Sequence, residues 1–92
     1  MNRAVTLVIR APLGRADVPG LLRRACTLLD GDGYEVLRCE VGGAAADAVT
    51  VDALARLTLA ARRRGCSVQV CHASRELCQL VAFMGLAEVL AQ

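Results

Sequence analysis

With 92 residues the chain has room for one domain and a modest core, since domains usually run to roughly 100 to 150 residues. Apolar residues make up 55% of it, yet there is one Tyr, one Phe and no Trp, so thin aliphatic layers can form and aromatic platforms for stacking bases cannot. Eleven Lys and Arg against nine Asp and Glu leave a net charge of +2, far from the concentrated basic stripe of a nucleic-acid binder, so no nucleic-acid partner is expected.

The elements can be read in chain order. Val5, Leu7 and Ile9 alternate with Thr6, Val8 and Arg10, which predicts a first strand broken by Pro12 and Gly14. Asp17 then opens a helix with Pro19 in its first turn. Leu21, Leu22, Ala25, Leu28 and Leu29 form its buried face and Arg23, Arg24, Thr27 and Asp30 its outer one, with Gly31 and Gly33 as the stop. A second strand, about Glu35 to Val41, sets Leu37, Cys39 and Val41 inward against Val36, Arg38 and Glu40, and Gly42-Gly43 releases it. After the loop Ala44 to Ala46, Asp47 begins the longest helix, expected to run to about Arg64 and stop at Gly65. In the third strand Val68, Val70 and His72 share one face and Ser67, Gln69 and Cys71 the other. Ser74 is the expected N-cap of a last helix, with Leu77, Leu80, Val81 and Met84 at helical spacing and Gly85 as its end. Leu86 to Leu90 reads as a short apolar tail that docks back.

Three strand-then-helix steps, with no linker, repeat or low-complexity tract, predict an α/β fold spanning 1–92 as a single domain. Strands separated by helices pair in parallel through right-handed crossovers. Each strand keeps a polar or mixed face, which a sheet covered on both sides would not. The expected architecture is therefore a small, mostly parallel β-sheet with helices mainly on one face and the other face open.

Val5 to Ile9 is interrupted by Thr6 and closed by Arg10 and Pro12, which does not fit a signal peptide, and no apolar run approaches the ~20 residues of a membrane span. A cytoplasmic location without direct membrane insertion is expected. Five cysteines (Cys26, Cys39, Cys66, Cys71, Cys78), an odd number without a CxxC pair, read as reduced core residues and not as a disulfide framework or zinc site. His72 is the only histidine, and beside Cys71 on a strand it points to the opposite face, so neither metal nor cofactor is expected. Gly31-Asp32-Gly33 and Gly42-Gly43 lack the spacing that cradles phosphates. No paired carboxylates and no nucleophile with its base can be found, so the expectation is a binding protein and not an enzyme. Arg62-Arg63-Arg64 reads as a helix C-terminus that complements the dipole.

The informative segment is Asp47-Ala48-Val49-Thr50-Val51-Asp52-Ala53-Leu54-Ala55-Arg56-Leu57, continuing to Arg64-Gly65-Cys66. A strand, a short loop, an Asp, an Ala/Leu-rich helix ending in Arg-Arg-Arg-Gly, a strand, and then Ala73-Ser74-Arg75-Glu76-Leu77 before a helix ending in Met84-Gly85-Leu86 together resemble the STAS domain. That is the fold of bacterial anti-sigma factor antagonists and of the small STAS subunits of lipid transporters, and the likeness runs over essentially the whole chain. In that family the loop before the long helix carries Asp-Ser-Ser-Gly-Leu or a close variant, and the kinase bound as anti-sigma factor phosphorylates the Ser or Thr after the Asp. Asp47 matches the motif Asp, but Ala48 falls on the phosphoacceptor position and has no hydroxyl, while Val49 and Thr50 replace the usual Ser-Gly. Thr50 is the nearest displaced phosphorylation candidate, at a helix N-terminus that favours phosphate. Its place on the stripe of Leu54, Leu57 and Ala61 argues instead for burial. Asp47 is most simply an N-cap, worth about 1 kcal/mol.

The resemblance implies a protein-interaction module. Its expected partner-binding surface is Asp47 and Ala48 in the loop together with the outer stripe Asp52, Arg56, Leu59 and Arg63, where Leu59 is an apolar residue among polar ones. Phe83, beside Glu76 and Gln79, is a second residue of that kind. The partner implied is a kinase-type anti-sigma factor. The alternatives are the ATPase of an ABC transporter for lipids, docked through the same helix, and a small-molecule or nucleotide-binding regulatory role; a homodimer is left open.

Overall fold

A computed structural model describes residues 3–31 and 33–86. In chain order the elements are β1 (Ala4–Val8), a short 3-10 turn (Arg15–Asp17), α1 (Val18–Gly31), β2 (Val36–Glu40), α2 (Ala48–Arg63), β3 (Ser67–Cys71) and α3 (Arg75–Phe83). β1 pairs with β2 and β2 with β3, all in parallel, in the order β1-β2-β3. Because that order never reverses, successive right-handed crossovers carry both connecting helices over the same face. Packing agrees, with α1 against α2 and α2 against α3.

The alternation in the strands follows from this one-sided cover. Leu7, Ile9, Leu37, Cys39, Val41 and Val68 are buried beneath the helix residues Leu21, Ala25, Leu54, Leu57, Ala61, Leu77 and Val81 in a single cluster. On the other face the register sets Thr6 beside Arg38 beside Gln69, and Val8 beside Glu40 beside Cys71. The middle of this face is open: Thr6, Arg38 and Gln69 are exposed, and Arg38 Nε donates to Gln69 Oε1 at 3.2 Å. A parallel sheet with a solvated face needs polar residues there, and the alternating pattern supplies them.

The helix ends behave as their residues dictate. Asp47 Oδ1 accepts from the Thr50 N–H at 2.8 Å and caps α2; Ser74 Oγ accepts from the Leu77 N–H at 3.1 Å and caps α3. Gly65 and Gly85, at φ of 73° and 75°, take the left-handed conformation that closes a helix without a Cβ penalty.

Four details depart from the pattern. Val36 is buried although its register, beside Ala4 and Ser67, places it on the open face. His72 does not extend the inner row of β3: its φ of 63° turns it out of the strand, and its ring reaches Glu40 of the open face. Met84 falls just past the end of α3 and is exposed, so it drops off the stripe of Leu77 and Val81. The cysteines are not uniformly core residues. Cys39 and Cys66 are buried, Cys26 and Cys71 are half-buried, and Cys78 is exposed, one residue past Leu77 and therefore on the outer side of α3. Burial, with a smaller contribution from nearby Cys71, pushes the Cys39 thiol up to about 12. Of the expected apolar tail, Leu86 packs against the core and its N–H donates to the Val81 carbonyl at 2.9 Å; 87–92 lie outside the described residues. No helix among the described residues is long and apolar enough to cross a membrane.

Candidate functional site

The long helix α2 carries every residue singled out for binding except its own cap, and its phase separates them cleanly. Thr50, Leu54, Leu57 and Ala61 face the sheet and are fully buried. Ala48 is exposed in the first turn and presents only a methyl group. Thr50 has a hydroxyl but cannot present it: the side chain is buried, and its Oγ1 has no hydrogen-bond partner among the described residues. At the third helical position no helical carbonyl lies four residues behind it. Thr58, deeper in the helix, donates from Oγ1 to the Leu54 carbonyl at 2.9 Å. An accessible acceptor hydroxyl is thus missing from the start of α2.

On the outer side Asp52 and Arg56 pair at 2.9 Å, one turn apart, and Leu59 follows with 53% of its surface exposed. Arg63 continues the stripe, exposed in the last turn. The next residue differs in kind: Arg64 Nε reaches Asp30 Oδ1 at 2.7 Å and its Nη1 reaches the Ala60 carbonyl at 3.1 Å, so it clamps the end of α2 to the end of α1. The Asp30 carboxylate raises the Arg64 guanidinium above its ordinary value. Of the Arg62-Arg63-Arg64 run, one member is therefore a structural tie and two remain solvated.

The stripe is not flat. Between α1 and α2 run two shallow grooves, one of about 350 Å³ bordered by Pro19, Leu22, Asp52 and Arg56, the other of about 460 Å³ bordered by Leu22, Cys26, Leu59 and Arg63. Leu22 and Cys26 were not anticipated as part of a surface. Both are half-buried, four residues apart and one step round from the buried stripe of Leu21, Ala25 and Leu29. That spacing is the signal that could have marked them. Leu22, Cys26 and Leu59 thus give the second groove an apolar centre, with Arg56 and Arg63 at its rim.

Elsewhere, polar groups gather at the carboxyl ends of β2 and β3. His72 Nδ1 lies 2.6 Å from Glu40 Oε2, while Glu40 Oε1 accepts from the Gly42 N–H at 2.9 Å. The Gly42 hydrogen bond, then that of His72, holds the Glu40 carboxyl below its ordinary range. Among the described residues no three His, Cys, Asp or Glu side chains converge as metal ligands would. Phe83, 87% exposed, and Met84 form an apolar pair at the end of α3, apart from the α1/α2 grooves.

Comparison with protein-family models, with curated proteins and with solved structures finds no match.

Proposed function

We propose that this chain works by binding another protein through the outer face of α2, as a STAS-like regulator of the anti-sigma factor antagonist type whose partner is a kinase-type anti-sigma factor. The observation that carries the reading is Leu59, more than half exposed over the α1/α2 groove and bordered by Arg56 and Arg63. Such a surface suits a partner that offers an apolar contact within an acidic rim, because charge complementarity steers the encounter and the excluded water strengthens the contact at its centre. Asp47 and Ala48 at the start of α2 extend the same surface. With a methyl group at Ala48 and the Thr50 hydroxyl buried, binding is constitutive and not switched by phosphorylation.

The same missing acceptor supports a second reading, a STAS subunit docked on the ATPase of a lipid transporter, which needs no phosphorylation. Affinity capture from the native host with wild type and Leu59→Asp side by side separates the two. A kinase-type anti-sigma factor retained by wild type and lost by the variant supports the first reading, and a transporter ATPase with the same behaviour supports the second. A set of captured proteins unchanged by the substitution removes α2 as the docking element.

A further inference from the structure

Away from the α2 surface, a cleft of about 490 Å³ opens between the end of β1 and the opposite flank of α1. That is within the roughly 300 to 1,000 Å³ typical of small-molecule sites. Arg10, Arg23 and Arg24 line it, with Asp17 as its one acidic residue. None of these arginines forms an ion pair among the described residues, whereas Arg56 and Arg64 each have a carboxylate partner.

The backbone on either side of Arg10 is fixed by the sheet and the turn after it. Arg10 stands between two backbone hydrogen bonds, Ile9 N–H to the Glu40 carbonyl and Ala11 N–H to the Gly43 carbonyl, both at 2.9 Å. Its stem lies against Gly43, where a Cβ would come within 3.5 Å of Arg10 Cγ. Arg23 folds back along the first turn of α1, so that a Cβ on Gly20 would lie 3.7 Å from its Nη2. Asp17 is already engaged, with Oδ2 accepting from the Gly14 N–H at 2.8 Å. Three guanidinium groups and one carboxylate leave two net positive charges in the cleft (3 − 1 = 2).

We infer that this cleft binds a small phosphate monoester. Such a group carries a charge of about −1.5 to −2 at neutral pH, which matches the charge the cleft presents. Its oxygens are spaced for the planar guanidinium fork, and the chain contains no lysine, so every cation available to an anion here is such a fork. Leu13 and Leu21 form an apolar wall beside the arginines, against which the organic part of the ester rests. The same phosphate chemistry also occurs on a phosphorylated side chain of a protein, and the experiment separates the two sources.

The test is a titration of the full chain with inorganic phosphate, then with free phosphoserine, at constant ionic strength, followed by NMR of the arginine Nε–H groups and the Gly20 amide. Saturable shifts at Arg10, Arg23, Arg24 and Gly20, absent when chloride replaces phosphate, are expected. Loss of one charge-assisted contact in Arg23→Gln or Arg24→Gln should weaken binding about tenfold, with melting curves unchanged because both side chains are exposed. Arg63→Gln should leave phosphate binding as it was. Shifts that never saturate, or equal weakening by Arg63→Gln, would show diffuse attraction and overturn the proposal. Binding of a phosphoserine peptide without binding of phosphate or free phosphoserine would overturn it as well, in favour of a protein ligand. Neither result depends on whether Leu59 meets a partner.

Discussion

The two stripes of α2 both carry leucine, and their leucines stand in opposite situations. Leu54 and Leu57 on the inner stripe are wholly removed from water, while Leu59, two residues further on, leaves half its surface in it. Each turn of the helix sorts an apolar residue either under the sheet or over the α1/α2 groove, and the sorting decides what a substitution there will do. A change on the inner stripe is an experiment on folding. A change on the outer stripe should spare folding and so tests the proposed recognition.

The largest effect is expected on the inner side. Leu57→Ala should cost about 2–5 kcal/mol, from lost burial and the cavity left behind, and appear as a large drop in the midpoint of urea unfolding. A cost near zero would put the helix in the wrong phase. Thr50→Val sharpens the same side with the opposite sign. The buried Thr50 Oγ1 has no partner, so replacing it with a methyl group removes a desolvation penalty and should stabilise the fold by about 1 kcal/mol. Thr58, whose hydroxyl is satisfied by Leu54, offers no such gain. Differential scanning calorimetry of the two valine variants measures the contrast.

The smallest effect belongs to the open face of the sheet, where contacts are solvated like those on the outer stripe. The Glu40 carboxyl is lowered by the Gly42 N–H and then by His72, so its folded value lies below its unfolded one. Its contribution is therefore present above the usual glutamate value of ~4.3 and is lost as pH falls through the lowered folded value. Glu40→Gln should remove that part of the acid sensitivity and leave the rest, which unfolding midpoints at neutral and acid pH will show. A variant with the same acid profile as wild type would mean that the Glu40 contacts do not persist in solution.

Much of this fold was legible because local chemistry and global topology agree. Asp47, Ser74, Gly65 and Gly85 mark helix ends through caps and positive φ, and the polar or mixed outer face of β1 and β2 anticipated a sheet with one open face. The outer stripe was legible from α2 alone, since Asp52, Arg56, Leu59 and Arg63 depend only on helical period. What escaped required two elements at once. Leu22 and Cys26 become a surface only when α1 lies against α2, Arg64 becomes a clamp only when Asp30 comes near, and His72 departs from its strand to meet Glu40. The arginine cleft was hidden in the same way: Arg10 and Arg23 lie far apart in sequence, and the turn after β1 brings them to one wall.

The most direct measurement is paired thermal melting and partner binding of Leu59→Asp. A charge on an exposed residue shifts folding by no more than about 0.5 kcal/mol, whereas inside a contact that excludes water it removes binding. An unchanged melting curve together with abolished or greatly weakened binding of the captured partner is the expected result. Binding that survives beside an unchanged melting curve would contradict it and leave Leu59 an ordinary exposed leucine.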